Sequence, residues 1–330
     1  MTQAKPEIGD YLATDMICPV CSSQERRIIS EIGRNFQSLE TVICTGCGLV
    51  HSNPIPRKND LDAFYLKKYR SNYKLTNKPK LKHTYRYAPG ALKRLETLIK
   101  HKKPEQFKLV DIGSGSGEFL YLALKAGFDA SGIEPHSGYC EHTKQSLGLN
   151  VVNTTLEKAG FIAESFDIIN LNHVLEHMPA PLDTLCSLHS LLKKDGIIMI
   201  DVPDISLCSH APWTQFHFAH IYNFNSMTLK ALVEKAGFEI LNPETETTNI
   251  IARKTAASKV DISMPMPANY QYLWQKLQSH TGIGHYKRKK PYARFLRKCH
   301  EYPKEFLITM FYGSPKKILD KVYRTAPVII

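Results

Sequence analysis

The sequence predicts an α/β fold: a seven-stranded, mostly parallel sheet wrapped by helices, preceded by a small four-cysteine ribbon and a helical cap. Two observations predict the sheet. From Phe107 onward, short apolar runs alternate with helical stretches, the pattern of a parallel sheet covered on both faces. Within it, Val110-Asp111-Ile112-Gly113-Ser114-Gly115-Ser116-Gly117-Glu118 reads as a strand, a glycine turn and a helix start. A third observation predicts the ribbon. Cys18-Pro19-Val20-Cys21 and Cys44-Thr45-Gly46-Cys47-Gly48 form two C-x-x-C pairs.

Residues 1–57 are expected to form the ribbon, with strand-like runs at 27–32 and 39–43. Four thiolates at this spacing, Cys18, Cys21, Cys44 and Cys47, can close a tetrahedral structural zinc site. An iron site of the same geometry and a pair of redox dithiols remain as alternatives. Asn53-Pro54-Ile55-Pro56 ends the ribbon. Residues 58–105 are expected to be a helical cap, carrying Phe64, Tyr65, Tyr69 and Tyr73 at about one-turn spacing. The aromatic rings can cover a cationic ligand or simply pack. Lys78-Pro79-Lys80 interrupts the cap, and a further helix runs from about 90 to 100.

The domain at 106–255 holds strands expected at 107–112, 129–134, 150–153, 166–171, 196–202, 238–241 and 248–253. Asn225 or Ser226 caps a helix running to Lys235. The last two strands follow that helix closely and imply an antiparallel hairpin at the sheet edge. Residues 256–330 form an extension with no assignable pattern. From Thr281 to Ile330 it carries 12 Lys and Arg against 3 acidic residues, most of the chain's net charge of +12. Such a stretch, threaded with aromatic residues, suits an anionic membrane surface; a solvated helix or tail is the bland alternative.

Three glycines at alternate positions let the backbone turn tightly and approach a ligand. A dinucleotide fingerprint asks for a further glycine where Glu118 stands, and a carboxylate at a helix N-terminus opposes a pyrophosphate. A ligand with an ammonium and a sulfonium fits better. The strand at 129–134 ends in Glu134, which can accept both hydroxyls of a ribose.

From Leu109 to Ile251 these residues resemble the class I S-adenosyl-L-methionine (SAM)-dependent methyltransferases. Phe166-Asp167-Ile168-Ile169, Asn172-His173-Val174-Leu175-Glu176-His177 and Leu191-Leu192-Lys193-Lys194-Asp195-Gly196 extend the match. The resemblance implies a Rossmann-like seven-stranded methyltransferase sheet. It places Asp111, Gly113, Gly115 and Gly117 along the methionine part of SAM, Glu134 on the ribose, and Leu156 near the adenine. Asn172 and His173 would sit beneath the sulfonium. Core packing is the other reading of Leu156.

The ribbon, the Asn53-Pro54-Ile55-Pro56 turn and the segment His220-Ile221-Tyr222-Asn223-Phe224 resemble the sugar and glycan-pathway subgroup of that family. There the histidine of H-x-x-x-F is placed as a base, which singles out His220 as base or positioning residue, with His217 and Tyr222 as weaker catalytic candidates. Ala219 stands where carbon-methylating members have an acid, so O- or N-methylation is expected. The acceptor class implied is a sugar, nucleotide-linked sugar or lipid-linked glycan. An RNA methyltransferase is the alternative; nucleic acid is disfavoured by the near charge balance outside the tail. A SAM-binding scaffold recruiting partners through the tail is the non-enzymatic reading. No apolar run reaches the roughly 20 residues of a membrane span. With no export signal at the N-terminus, the expected location is the cytoplasm, peripheral to the membrane.

Overall fold

The computed structural model describes residues 16–56, 78–105, 107–256, 265–287 and 289–325. The expected cap tyrosines, Tyr65, Tyr69 and Tyr73, lie outside the described residues, as does Phe64.

The main sheet contains β4 (Lys108–Ile112), β5 (Asp129–Ile133), β6 (Val151–Val152), β7 (Phe166–Asn172), β8 (Leu192–Asp201), β10 (Phe238–Ile240) and β11 (Asn249–Lys254). Their spatial order is β10-β11-β8-β7-β4-β5-β6. The first five run parallel, and β11 inserts antiparallel between β8 and β10. All seven strands fall close to where the sequence expects them, β8 starting four residues early at Leu192, and the closing hairpin forms the sheet edge.

Alternation along the strands feeds two cores. Val110, Ile169, Ile198 and Ile200 face one cluster, filled by Leu185, Leu188, Leu229 and Leu232. Leu109, Ile168, Ile197 and Met199 face the other, filled by Ala91, Leu95 and Leu98 of α1 (Leu81–His101). Asp111 and Asn170 continue this second row at the carboxyl ends of β4 and β7, where apolar side chains give way to polar ones. Helix α1 starts at Leu81, nine residues before the expected start, because Pro89 and Gly90 lie inside it.

The ribbon strands β1 (Arg26–Ile32), β2 (Ser38–Cys44) and β3 (Val50–Ser52) form an antiparallel sheet. A fourth strand, β9 (Tyr222–Asn223), joins it from far along the chain, with His51 opposite Tyr222 and Val50 opposite Asn223. Further ties hold the two parts together. Lys235 Nζ donates to the Val20 carbonyl at 3.1 Å, and Asn269 Nδ2 to the Cys47 carbonyl at 2.8 Å. The four cysteines belong to the same apolar cluster as one face of the main sheet.

The extension folds as helices at Pro267–Gln278, Gly282–Tyr286, Lys289–Tyr312 and Pro315–Arg324. Ile318 and Leu319 of the last helix are buried, and Tyr121 Oη donates to Asp320 at 2.8 Å. The helix at Lys289–Tyr312 is tied to α1 by the Arg86–Glu305 ion pair. No helix among the described residues is long and apolar enough to cross a membrane.

Candidate active site

A cavity of about 730 Å³ opens at the carboxyl ends of β4, β5 and β7. Its floor is the glycine loop between β4 and α2 (Glu118–Ala126). Gly113, Gly115 and Gly117 all take left-handed conformations, with φ of 70°, 56° and 83°. Gly117 is needed twice over, since a Cβ there would stand 2.7 Å from Leu149 Cδ1. It supports the loop from behind; Gly113 and Gly115 line the cavity.

Glu134 ends the neighbouring strand, and the loop closes onto it. Its Oε2 accepts from the Gly115 amide at 2.8 Å and its Oε1 from the His136 amide at 3.0 Å. Two backbone donors hold the carboxylate at the cavity wall and leave it further lone pairs to offer. Asp111 is buried and accepts from Asn170 Nδ2 at 2.7 Å. Burial pushes its carboxyl up to about 7, against the opposing pull of the Asn170 hydrogen bond and the Arg94 charge. Arg94, on α1, lines the cavity, and its Nε is buried with no hydrogen-bond partner. Asn172 Oδ1 is an orphan of the same kind. Unpaired buried polar atoms are costly, so both fit a polar ligand in the cavity. Leu156 and His173 also line it.

Histidines form the far wall. His173 has φ of 56°, a left-handed conformation that costs a non-glycine residue of order 1–2 kcal/mol. His177 and His220 reach the cavity, their ring centroids 4.9 Å apart. Burial first, then the nearby His177 and His217, hold the His220 imidazole well below its ordinary pKa, so it is neutral at pH 7. His217 packs behind it at 3.8 Å between ring centroids, outside the cavity lining, and burial pushes its pKa down to about 3. Tyr222 is also away from the cavity; its hydroxyl donates to the Pro179 carbonyl at 3.2 Å. Motif reading passes over Arg94 and gives Glu176 no role, and it takes His177 as a structural helix-end residue, whereas His177 borders the cavity. Arg94 lies on a helix before the glycine loop, and Glu176 and His177 sit in a short turn that reads as a helix end.

At the ribbon, Cys18 Sγ and Cys47 Sγ are 3.6 Å apart, and Cys21 Sγ and Cys44 Sγ 3.5 Å. All four are buried, with their sulfurs within 4.8 Å of one another. Tetrahedral zinc–thiolate bonds of about 2.3 Å require sulfur separations of roughly 3.8 Å, so the donor set fits zinc. Gly46 makes the closeness possible: a Cβ there would meet Cys21 Sγ at 2.9 Å.

Residues 81–242 match the family model of a methyltransferase domain. The fold, the glycine loop and this match together define a class I, SAM-dependent methyltransferase domain. Among curated proteins, the chain is similar to the ubiquinone biosynthesis O-methyltransferase of Actinobacillus pleuropneumoniae serotype 7. They are 35% identical over 101 residues, 28% of this chain and 43% of that protein. The protein of the same name from Methylococcus capsulatus is 30% identical over 121 residues, covering 34% and 51%. The chain thus spans about half or less of the length of these relatives. By name they belong to ubiquinone biosynthesis and not to a sugar or glycan pathway. Among solved structures, a 1,6-didemethyltoxoflavin-N1-methyltransferase from Burkholderia thailandensis, with bound 1,6-didemethyltoxoflavin and S-adenosylhomocysteine, aligns with a TM-score of 0.44 and 16% identity. That alignment covers 63% of this chain and 96% of that one.

Proposed function

We propose that the protein transfers a methyl group from SAM to a hydroxyl oxygen of a small acceptor. The observation that carries this reading is one shared cavity, lined both by the glycine loop, Glu134 and Leu156 and by Asn172, His173, His177 and His220. When bound, SAM supplies a methyl carbon activated by its sulfonium. Glu134 would accept the ribose hydroxyls, Arg94 would pair with the methionine carboxylate, and Asp111 with the ammonium. The histidine wall would hold the acceptor hydroxyl in line with the methyl carbon and take its proton, with His220 as the base. Oxygen is favoured over nitrogen as the acceptor atom because the curated relatives are named O-methyltransferases.

The four cysteines would hold a structural zinc ion. The acceptor is read as lipid-linked, from the helix at Lys289–Tyr312. It exposes Tyr292, Leu296, Tyr302, Phe306, Met310 and Phe311, in a segment rich in Lys and Arg. The same helix is joined through Glu305 to Arg86, a residue of the cavity rim. An anionic membrane surface would seat that helix and bring a lipid-borne acceptor to the mouth.

The test is methyl transfer from labelled SAM to separate pools of prenylated phenols, lipid-linked glycans, nucleotide sugars and RNA. Label on an oxygen of a lipid-linked pool, lost in His220→Ala, supports the proposal. Label on RNA alone, or on none of the pools despite tight SAM binding, overturns it.

A further inference from the structure

The inner end of the cavity carries a second donor set besides the cysteines. Glu176 is 1% exposed, and its Oε1 lies 3.8 Å from His177 Nε2 and 4.0 Å from His220 Nε2. Ligand atoms from these three residues all lie within 4.8 Å of one another. His173 Nδ1 stands 3.3 Å from the same carboxylate oxygen. A second observation points the same way: Glu176 Oε2 is buried with no hydrogen-bond partner. Moreover, His177 Nδ1 faces the Ala219 carbonyl at 2.5 Å. A carbonyl only accepts, so Nδ1 carries a proton, and in the neutral ring Nε2 then offers its lone pair on the Glu176 side. Fixing the ring through its outer nitrogen is the usual way a metal-binding histidine is oriented.

A lone pair facing a carboxylate is repulsive unless something positive lies between them. One proton would serve one contact; a dication serves all of them at once. We propose that Glu176, His177 and His220 bind a divalent transition-metal cation, with His173 beside them as a further ligand. One carboxylate and several imidazoles suit Zn²⁺, Co²⁺ or Mn²⁺ better than the all-oxygen preferences of Ca²⁺ or Mg²⁺. Ligand bonds of about 2.0–2.2 Å put neighbouring donors roughly 3.4 Å apart in a tetrahedral site, so each histidine Nε2, at 3.8 and 4.0 Å from Glu176 Oε1, would close on that oxygen by about half an ångström on loading.

His173, His177 and His220 all border the cavity, so the cation's open position faces the acceptor. There it would bind the acceptor oxygen and lower the hydroxyl's pKa; because the ligated His220 imidazole could no longer take the proton, it would pass to water before the oxygen attacks carbon, and the cation would replace His220 as the activating group. This role rests on the methyl-transfer reading; the site itself does not.

Mn²⁺ is the probe, because thiolates bind it poorly and the ribbon stays silent. The full chain, saturated with S-adenosylhomocysteine, is titrated with Mn²⁺ while the resonance of the free ion is followed by electron paramagnetic resonance. The wild type is expected to take up one Mn²⁺ per chain. Glu176→Gln, which keeps the side chain's volume, and His177→Ala should weaken uptake by more than about tenfold. S-adenosylhomocysteine affinity serves as the check that both variants are folded. No uptake by the wild type, or equal uptake by folded Glu176→Gln, overturns the site. Uptake lost in the variants, without methyl transfer to any acceptor pool, keeps the site and removes the methyl-transfer reading. Transfer at an unchanged rate with the site emptied removes the activating role alone.

Discussion

Glu134→Gln isolates the contribution of a single charge at the cofactor wall. The carboxylate accepts two backbone hydrogen bonds, from Gly115 at 2.8 Å and His136 at 3.0 Å. Glutamine has the same size, but one of its two terminal atoms is an NH₂ group. Whichever way it flips, a backbone donor then faces another donor, and that amide is left unsatisfied at a site only 3% exposed. An orphaned buried donor costs about 1–3 kcal/mol, so the unfolding midpoint in denaturant should fall measurably. The ribose would also lose an anionic acceptor. A hydrogen bond to a charged group contributes about 1.5–3 kcal/mol, which corresponds to a drop in S-adenosylhomocysteine affinity of roughly 10- to 150-fold. Calorimetric titration of the full chain reads the affinity, and urea unfolding the stability. Affinity within about threefold of wild type would refute the ribose assignment, whatever the stability does.

Three further outcomes follow from other parts of the molecule. Asp111 is a buried acid whose folded pKa is raised to about 7 from 3.8, so the native state holds its proton more tightly than the unfolded chain does. Its contribution is therefore full below pH ~4 and is lost as pH rises toward 7, by at most about 4 kcal/mol. Asp111→Asn should flatten that part of the stability–pH curve, and an identical slope in both proteins would rule the effect out. Leu319→Ala empties a fully buried site between the last helix and the second core, and should cost about 2–5 kcal/mol in urea unfolding; a change below half a kcal/mol would mean the helix is not docked. Stripping the zinc proposed at the cysteines should shift tryptophan emission, because Trp274 packs against the ribbon core and under Arg27 at 5.5 Å; unchanged emission after proven metal loss would show that the ribbon holds its shape without an ion.

What the sequence made legible follows from how local each signal is. The sheet strands centre on short apolar runs bounded by turns, so all seven are readable to within a few residues, the polar start of β8 at 192–195 being the part that is not. The glycine loop and Glu134 were readable because their chemistry sits in a few consecutive residues. Strand β9 was not: it is two residues long and is defined only by pairing with residues far back in the chain. Helix α1 reads short in the sequence because Pro89 and Gly90 look like breakers, although the packing of Ala88, Ala91, Leu95 and Leu98 carries the helix through them. The closing helix is not legible in the sequence because few of its side chains are buried, Ile318 and Leu319 among them, amid lysines. Arg94 and Glu176 needed three dimensions, since each acquires meaning from neighbours on other elements.

The pairing of β3 with β9 has a consequence for anyone wishing to trim this protein to a minimal catalyst. Cutting the chain after the ribbon would leave Tyr222 and Asn223 as a bare sheet edge, uncover Tyr222 from His51, and strip the carbonyl that Lys235 holds. That edge begins two residues beyond His220. The ribbon therefore acts as a brace on the histidine wall, and a shortened version would need a substitute strand before it needed a better active site.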